Sequence, residues 1–412
     1  MTTTARLLAI LPALTLLASA LPASAQMPAP LPPEALKEEA DPAKVAWLRA
    51  HEVASGPVRG GLTFRLPAAF YRSKLILLGE SHGSAAPQVL DLELLTHLNR
   101  RMGLRDYLAE VDPVQAAHLN RFLDTGEEAP LLRVFAFWKP DAQWGNTAFL
   151  AKVRAIRALN ATLAPARRVR IHGVDRTQDW PLLAEWAKAQ GAALDPAALA
   201  AAPTDSAQAE AALAALASAP SSPVLEQVRA GLELTRAKTG RERTIFENYR
   251  RLVRVGALGD RPAYGLWGLA HVMQAGINGQ TYFAMQVKSS DLPAAHALTS
   301  LVVLSLDSAV MVPAPLPSGV VKIRLTNFNV DGPLVKAPGS ASLRAATRPD
   351  TISLFDLSAK GSPYRTAPDL IAVRTSPGIN QDFKPDDPKA PATAYAQYVG
   401  VFRGSDWAPP LP

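Results

Sequence analysis

Short apolar runs alternate with longer stretches of helical periodicity through most of this chain, and that alternation limits the folds open to it. Residues 74–78, Lys-Leu-Ile-Leu-Leu, form a continuous apolar run that stops at Gly79. In residues 88–102, Val89, Leu92, Leu95 and Leu98 recur at the spacing of one helix face. A second β-type run covers 106–109, and Asp112-Pro113 then reads as an N-cap with proline at the first helical position. Residues 147–160 carry Phe149, Val153, Ile156 and Leu159 on one face, and a third strand follows at 168–174. A long helix over 241–255 precedes a fourth strand at 263–267, and further strands are expected at 300–306, 320–325, 352–357 and 369–373. Strand and helix in alternation predict an α/β fold, a mainly parallel sheet with helices on both faces.

The rest of the chain is organised around that core. Residues 1–25 combine an early Arg6, an apolar run over 7–21 and an Ala23-Ser24-Ala25 ending, which predicts a cleavable signal peptide and an exported, periplasmic or extracellular protein. No other long apolar stretch follows, so no integral membrane segment is expected after its removal. Residues 26–42, rich in Pro and Ala, read as a tether, and 43–412 as a single α/β domain. Within it, an Ala-rich helical hairpin is expected as an insertion at about 181–240, outside the main core and placed as a lid. A Pro-rich tail wraps the domain from Pro363 onward. The net charge of +7 falls to +6 when Arg6 leaves with the signal, and the surplus is interleaved with acids, so a nucleic-acid partner is not expected. The chain has no cysteine, so a metal site would use His, Asp and Glu, and a nucleophile would be Ser, Thr, Lys or a carboxylate.

Chemistry is concentrated where strands end. Glu80-Ser81-His82 follows the first strand, Glu110 the second, Asp175 the third and Gly268-Leu269-Ala270-His271 the fourth. Sites in open α/β sheets form outside the carboxyl ends of the strands, so parallel strands gather Glu80, His82, Glu110, Asp175 and His271 on one rim. Glu80 and Asp175 also suit loop caps, and His271 sits in the apolar setting of a core histidine. His172 lies inside its strand, while His51, His97, His118 and His296 read as surface.

Gly79-Glu80-Ser81-His82-Gly83 also fits the G-x-S-x-G pattern of a nucleophile elbow, with Asp175 and His271 following in α/β-hydrolase order. That fold needs several strands before the serine and a helix immediately after it. Here only the weak run 62–66 precedes Ser81, and Gly83-Ser84-Ala85-Ala86-Pro87 interposes a loop.

At these residues the sequence resembles the superfamily that joins erythromycin esterases, ChaN-type haem-binding lipoproteins and Tiki-type metalloproteases, and within it the erythromycin-esterase-like branch. Its two G-x-x-H motifs correspond to Gly79-Glu80-Ser81-His82 and Gly268-Leu269-Ala270-His271. The strand ending in Glu110 and the element His172-Gly173-Val174-Asp175 match further positions. Arg241-Glu242, followed by Glu247-Asn248, matches the helix before the second histidine. The resemblance covers about residues 70–290 and implies a hydrolase for a small-molecule ester or lactone, with no cofactor. In that mechanism His82 activates water, Glu80 or Glu110 holds its second nitrogen, His271 protonates the leaving group or polarises the carbonyl, and Arg241 neutralises an oxyanion. The other branches imply a divalent metal held by His82, His271, Glu80 and Glu110, or a haem with His82 or His271 as axial ligand. Aromatic residues of the 135–145 segment, Phe137, Trp138 and Trp144, are candidates for the pocket lining.

Overall fold

The computed structural model describes residues 28–316, 319–379 and 381–412; the signal-like segment 1–25 lies outside the described residues. Its strands are β1 (Glu52–Pro57), β2 (Thr63–Phe64), β3 (Leu75–Glu80), β4 (Asp106–Ala109), β5 (Arg170–Gly173), β6 (Ala263–Gly268), β7 (Leu298–Leu306), β8 (Val310–Leu316), β9 (Gly319–Leu325), β10 (Val335–Lys336), β11 (Thr351–Asp356), β12 (Arg374–Thr375) and β13 (Tyr398–Arg403). Nine of them form one sheet in the order β2-β1-β11-β13-β7-β3-β6-β4-β5. From β13 to β5 every neighbouring pair is parallel, whereas β11, β1 and β2 extend the sheet antiparallel at one edge. This is the expected α/β architecture.

Helices cover both faces because successive strand residues point into different cores. In β3, Ile76 and Leu78 pack with helices Ala86–Met102, Pro113–Thr125 and Thr147–Ala161. Leu75 and Leu77 pack with helices Arg241–Arg254, Phe283–Lys288 and Ser340–Ala346 on the other side. All four side chains are fully buried. Burial of each contributes about 1.5–3 kcal/mol, which explains the unbroken apolar runs of strands buried on both sides.

Three expectations change. The segment beyond Pro363 is more than a wrapping tail, for its Tyr398-Val399-Gly400-Val401-Phe402 run becomes β13, buried throughout and inserted between β7 and β11. Residues 369–373 form no strand; only the two-residue β12 follows them, paired with β10. The Ala-rich region does fold as helices, Asp205–Leu216 and Pro223–Arg236 forming a packed pair, but it belongs to the core. Ala209, Ala212, Leu216, Leu225 and Leu232 are completely buried, because the small alanines allow close approach and Leu225, Val228 and Leu232 make one continuous stripe.

The described part of 26–42 is held against the domain. Leu31 is buried and its N–H donates to the Pro333 carbonyl at 2.9 Å. Glu38 accepts from Lys336 Nζ at 2.6 Å and from the Ala341 N–H at 3.1 Å. No helix among the described residues is long and apolar enough to cross a membrane.

Candidate active site

The carboxyl ends of β3, β4, β5 and β6 meet on one rim, and the structure brings together Glu80, His82, Glu110, Asp175, Arg241 and His271. Their approach depends on glycine. A Cβ on Gly79 would lie 2.4 Å from Val272 Cγ2, so only glycine lets the short 3-10 turn Leu269–Val272 cross the end of β3. A Cβ on Gly268 would lie 3.1 Å from His82 Nε2 and 3.4 Å from His271 Cδ2, so the two motifs face each other across this residue.

Glu80 points to the same face of β3 as Ile76 and Leu78 and is buried. Its Oε1 lies 2.9 Å from His82 Nδ1 and accepts from Gln88 Nε2 at 3.3 Å. Burial raises its proton affinity, and the bond to His82 opposes this. With Nδ1 donating to Glu80, His82 presents Nε2 as an acceptor, and this atom has no hydrogen-bond partner among the described residues. The indole of Trp144 lies against the His82 ring at 4.5 Å between centroids.

The other four residues form a closed ionic cluster. His271 is 1 % exposed; its Nε2 is 2.8 Å from Glu110 Oε1 and its Nδ1 is 2.9 Å from Glu242 Oε1. Burial would favour the neutral ring, but Glu242 and Glu110 outweigh it and push its pKa up to about 10. His271 is therefore an imidazolium with both N–H groups donating. Arg241 Nη1 stands 3.3 Å from His271 Nε2. Both atoms are then donors and do not bond to each other; Glu110 Oε1 accepts from His271 Nε2 and from Arg241 Nη2 instead. Arg241 also binds Asp175 with Nε at 3.1 Å and Nη2 at 2.7 Å, and Glu110 with Nη2 at 3.1 Å. Glu110 Oε2 accepts from the Gly268 N–H at 2.7 Å. Burial works to raise Glu110, yet the charges of His271 and Arg241 hold it far below the usual carboxylate range. Arg241 begins the helix Arg241–Arg254, where a cation opposes the helix dipole. The surrounding carboxylates offset that cost.

His271 carries a pH signature. Its pKa rises from the ordinary 6.5 to about 10 on folding, so its contribution to stability is complete below about 6.5 and is lost as pH climbs through about 10. The melting temperature is expected to fall across that window, and the slope to flatten in His271→Gln, as checked by scanning calorimetry.

Several expectations are corrected by this geometry. His271 has no nitrogen free to act as a base, and Asp175 binds Arg241 rather than His271, so Ser81, Asp175 and His271 do not assemble as a triad. A divalent metal does not fit the proposed set either. Both His271 nitrogens are donors, and Arg241 already uses Glu110 and Asp175; no group of three His, Asp or Glu side chains among the described residues is arranged to hold a metal ion. As an axial ligand for haem, His271 likewise offers no free nitrogen. His172 is a structural residue, its Nε2 2.8 Å from Asp106 Oδ1. His51, His97 and His118 are partly buried rather than plain surface. Each keeps a local bond, to the Trp47 carbonyl, Tyr71 Oη and the Val114 carbonyl respectively.

The site opens into a cavity of about 1150 Å³. Glu80, Ser81, His82, Arg241, Glu242 and His271 line its polar side, while Val310, Val312, Ile323 and Leu325 of the β8–β9 hairpin, with Phe328, line an apolar side. Of the expected insertion at 181–240, Gly240 alone among the described residues lines it, so the Ala-rich helices do not cover the cavity. Phe135 and Trp138 are core residues, and Gln143 reaches the cavity from the segment that follows them. Sequence reasoning missed Glu242 as the second His271 partner, although it adjoins Arg241 on the same helix start. It also missed Gln88 and the β8 strand, whose Pro313 and Pro315 mask the apolar alternation.

No family model matches the sequence, and no curated protein matches it. Similar solved structures do exist. A Bacillus cereus protein solved as a structural-genomics target aligns with a TM-score of 0.64 at 13% identity, covering 90% of this chain and 99% of that one. A succinoglycan biosynthesis protein aligns at 0.61 and 11% identity, covering 90% and 98%. A mutant of the erythromycin esterase EreC in its open conformation aligns at 0.57 and 14% identity, covering 82% and 92%. At such identities the likeness establishes that this chain shares their fold.

Proposed function

We propose that the protein is a hydrolase of the erythromycin-esterase-like kind, in which water activated by His82 attacks an ester or lactone carbonyl. One observation carries the reading: His82 has its Nδ1 fixed by the buried Glu80 and its Nε2 without a partner among the described residues, beside a large cavity. A histidine oriented in this way removes a proton from water through Nε2 while the carboxylate stabilises the imidazolium that forms. The hydroxide adds to the carbonyl carbon, and the same Nε2–H then protonates the departing alcohol oxygen. Arg241 Nη1, the arm of the guanidinium with no carboxylate partner among the described residues, supplies positive charge to the oxyanion. His271 acts as a fixed cation that holds Glu110 in place, rather than as the acid that protonates the leaving group. The fold shared with an erythromycin esterase agrees with this reading, and the pattern of residues 1–25 adds export to the proposal.

The test is a panel of aryl, alkyl and lactone esters followed by pH-stat and mass spectrometry. Turnover by the wild type and by Ser81→Ala supports water activated at His82. Covalent labelling at Ser81, or no turnover of any member, overturns the reading.

A further inference from the structure

A buried polar network lies under the Glu80–His82 pair, on the core side away from the cavity. Lys152, from helix Thr147–Ala161, is 4 % exposed, and Asp91, from helix Ala86–Met102, is fully buried. Lys152 Nζ donates to Asp91 Oδ2 at 2.6 Å and to Tyr107 Oη at 3.3 Å, while Tyr107 Oη donates to Asp91 Oδ2 at 2.7 Å. A lysine buried so completely needs a compensating role, because removing an ammonium from water is costly even when it is paired.

Position gives that role. Gln88 and Asp91 stand one turn apart on the same helix, and Gln88 Nε2 donates to Glu80 Oε1. Tyr107 Oη also meets the Leu266 N–H at 3.4 Å, and Leu266 pairs in register with Leu78, two residues before Glu80 on the same face of β3. The Glu80 carboxylate and the Lys152 ammonium therefore share one face of the sheet. Glu80 Oε2 is buried and makes no hydrogen bond among the described residues. Its negative charge is not shared with a donor at that oxygen and relies on fixed charge nearby.

We propose that Lys152 is a positioning residue for the hydrolysis assigned above, a buried ammonium held by Asp91 and Tyr107 that fixes the Glu80 carboxylate on His82 Nδ1. The inference rests on that hydrolase reading for its purpose, but its geometry concerns the resting protein. Burial works to protonate Glu80; after His82, Lys152 is the next charge that opposes this, with Asp91 acting the other way. A protonated Glu80 would hold His82 through a weaker bond, and the ring would lose its preference for an open Nε2.

The experiment reads the His82 Nδ1–H proton by NMR of the full chain, assigned by its loss in His82→Ala. The resonance is expected far downfield in the wild type, lost or moved upfield in Lys152→Met, and restored in Lys152→Arg. Should Lys152→Met fail to fold, Lys152→Gln, which keeps a donor for Asp91 and Tyr107 but withdraws the positive charge, is expected to show the same loss. An unchanged resonance in either folded variant overturns the proposal. The readout needs no substrate, so a failed ester screen would remove the hydrolase reading and leave this test standing.

Discussion

Arg241→Met is expected to destabilise the protein by about 3–5 kcal/mol, the usual cost of leaving buried charge without its partner. The variant would leave Asp175, completely buried, and Glu110, 7 % exposed, without their guanidinium. His271 would still face Glu110, while Asp175 would keep the Gln178 side chain and the Arg176 N–H as its donors among the described residues. The loss should appear as a lower denaturant midpoint at unchanged slope. Arg154→Met gives the contrast, since Arg154 and Glu128 pair with side chains 47 % and 43 % exposed, and an exposed pair contributes about 0–1 kcal/mol. Equal effects in the two variants would show that the rim cluster is not the electrostatic keystone that its geometry implies.

His82→Ala is expected to lower kcat/KM for whichever ester the panel identifies by about 10²–10⁴-fold, the range of a lost general base. The melting temperature should fall less than in Arg241→Met, because the buried Glu80 that loses His82 keeps Gln88 as a donor and can take up a proton. Glu80→Gln should follow it downward, by on the order of 10²-fold, mostly in kcat, since the amide keeps the shape but withdraws the charge that stabilises the imidazolium. Steady-state kinetics of the two variants decide the matter. Retained turnover in His82→Ala would move the base elsewhere.

Much of this site was legible because parallel strands impose a simple rule. A strand buried on both faces reads as an unbroken apolar run, and the first polar residue after it lands on the rim. That rule located Glu80, Glu110, Asp175 and His271 without knowledge of strand order. What it could not supply was pairing. His271 reads as a catalytic acid until Glu110 and Glu242 are seen on opposite nitrogens. Asp175 reads as a partner for histidine until Arg241 is seen to occupy it. Arg241 and Asp175 stand 66 residues apart in the chain and His271 and Glu242 29 apart, so nothing local encodes these pairings. The Ala-rich helices misled for a different reason. Alanine carries little apolar signal per residue, yet its small size permitted the close packing that made Ala209 and Ala212 core. The proline-rich context around Tyr398–Arg403 likewise hid a strand whose five-residue apolar run was visible in itself.

That strand has a consequence for how the molecule is assembled. β13 is the last of the nine to leave the ribosome, yet it stands between the parallel block and the antiparallel edge. Until it arrives, β7 and β11 each present an open row of amides and carbonyls, the kind of edge that pairs with whatever strand it meets. Closing the sheet then requires contacts between segments far apart in sequence, which folds slowly and late. A chain that has made β11 but not β13 therefore leaves two strand edges without their shared neighbour, and that is the stage at which a chaperone has most to protect.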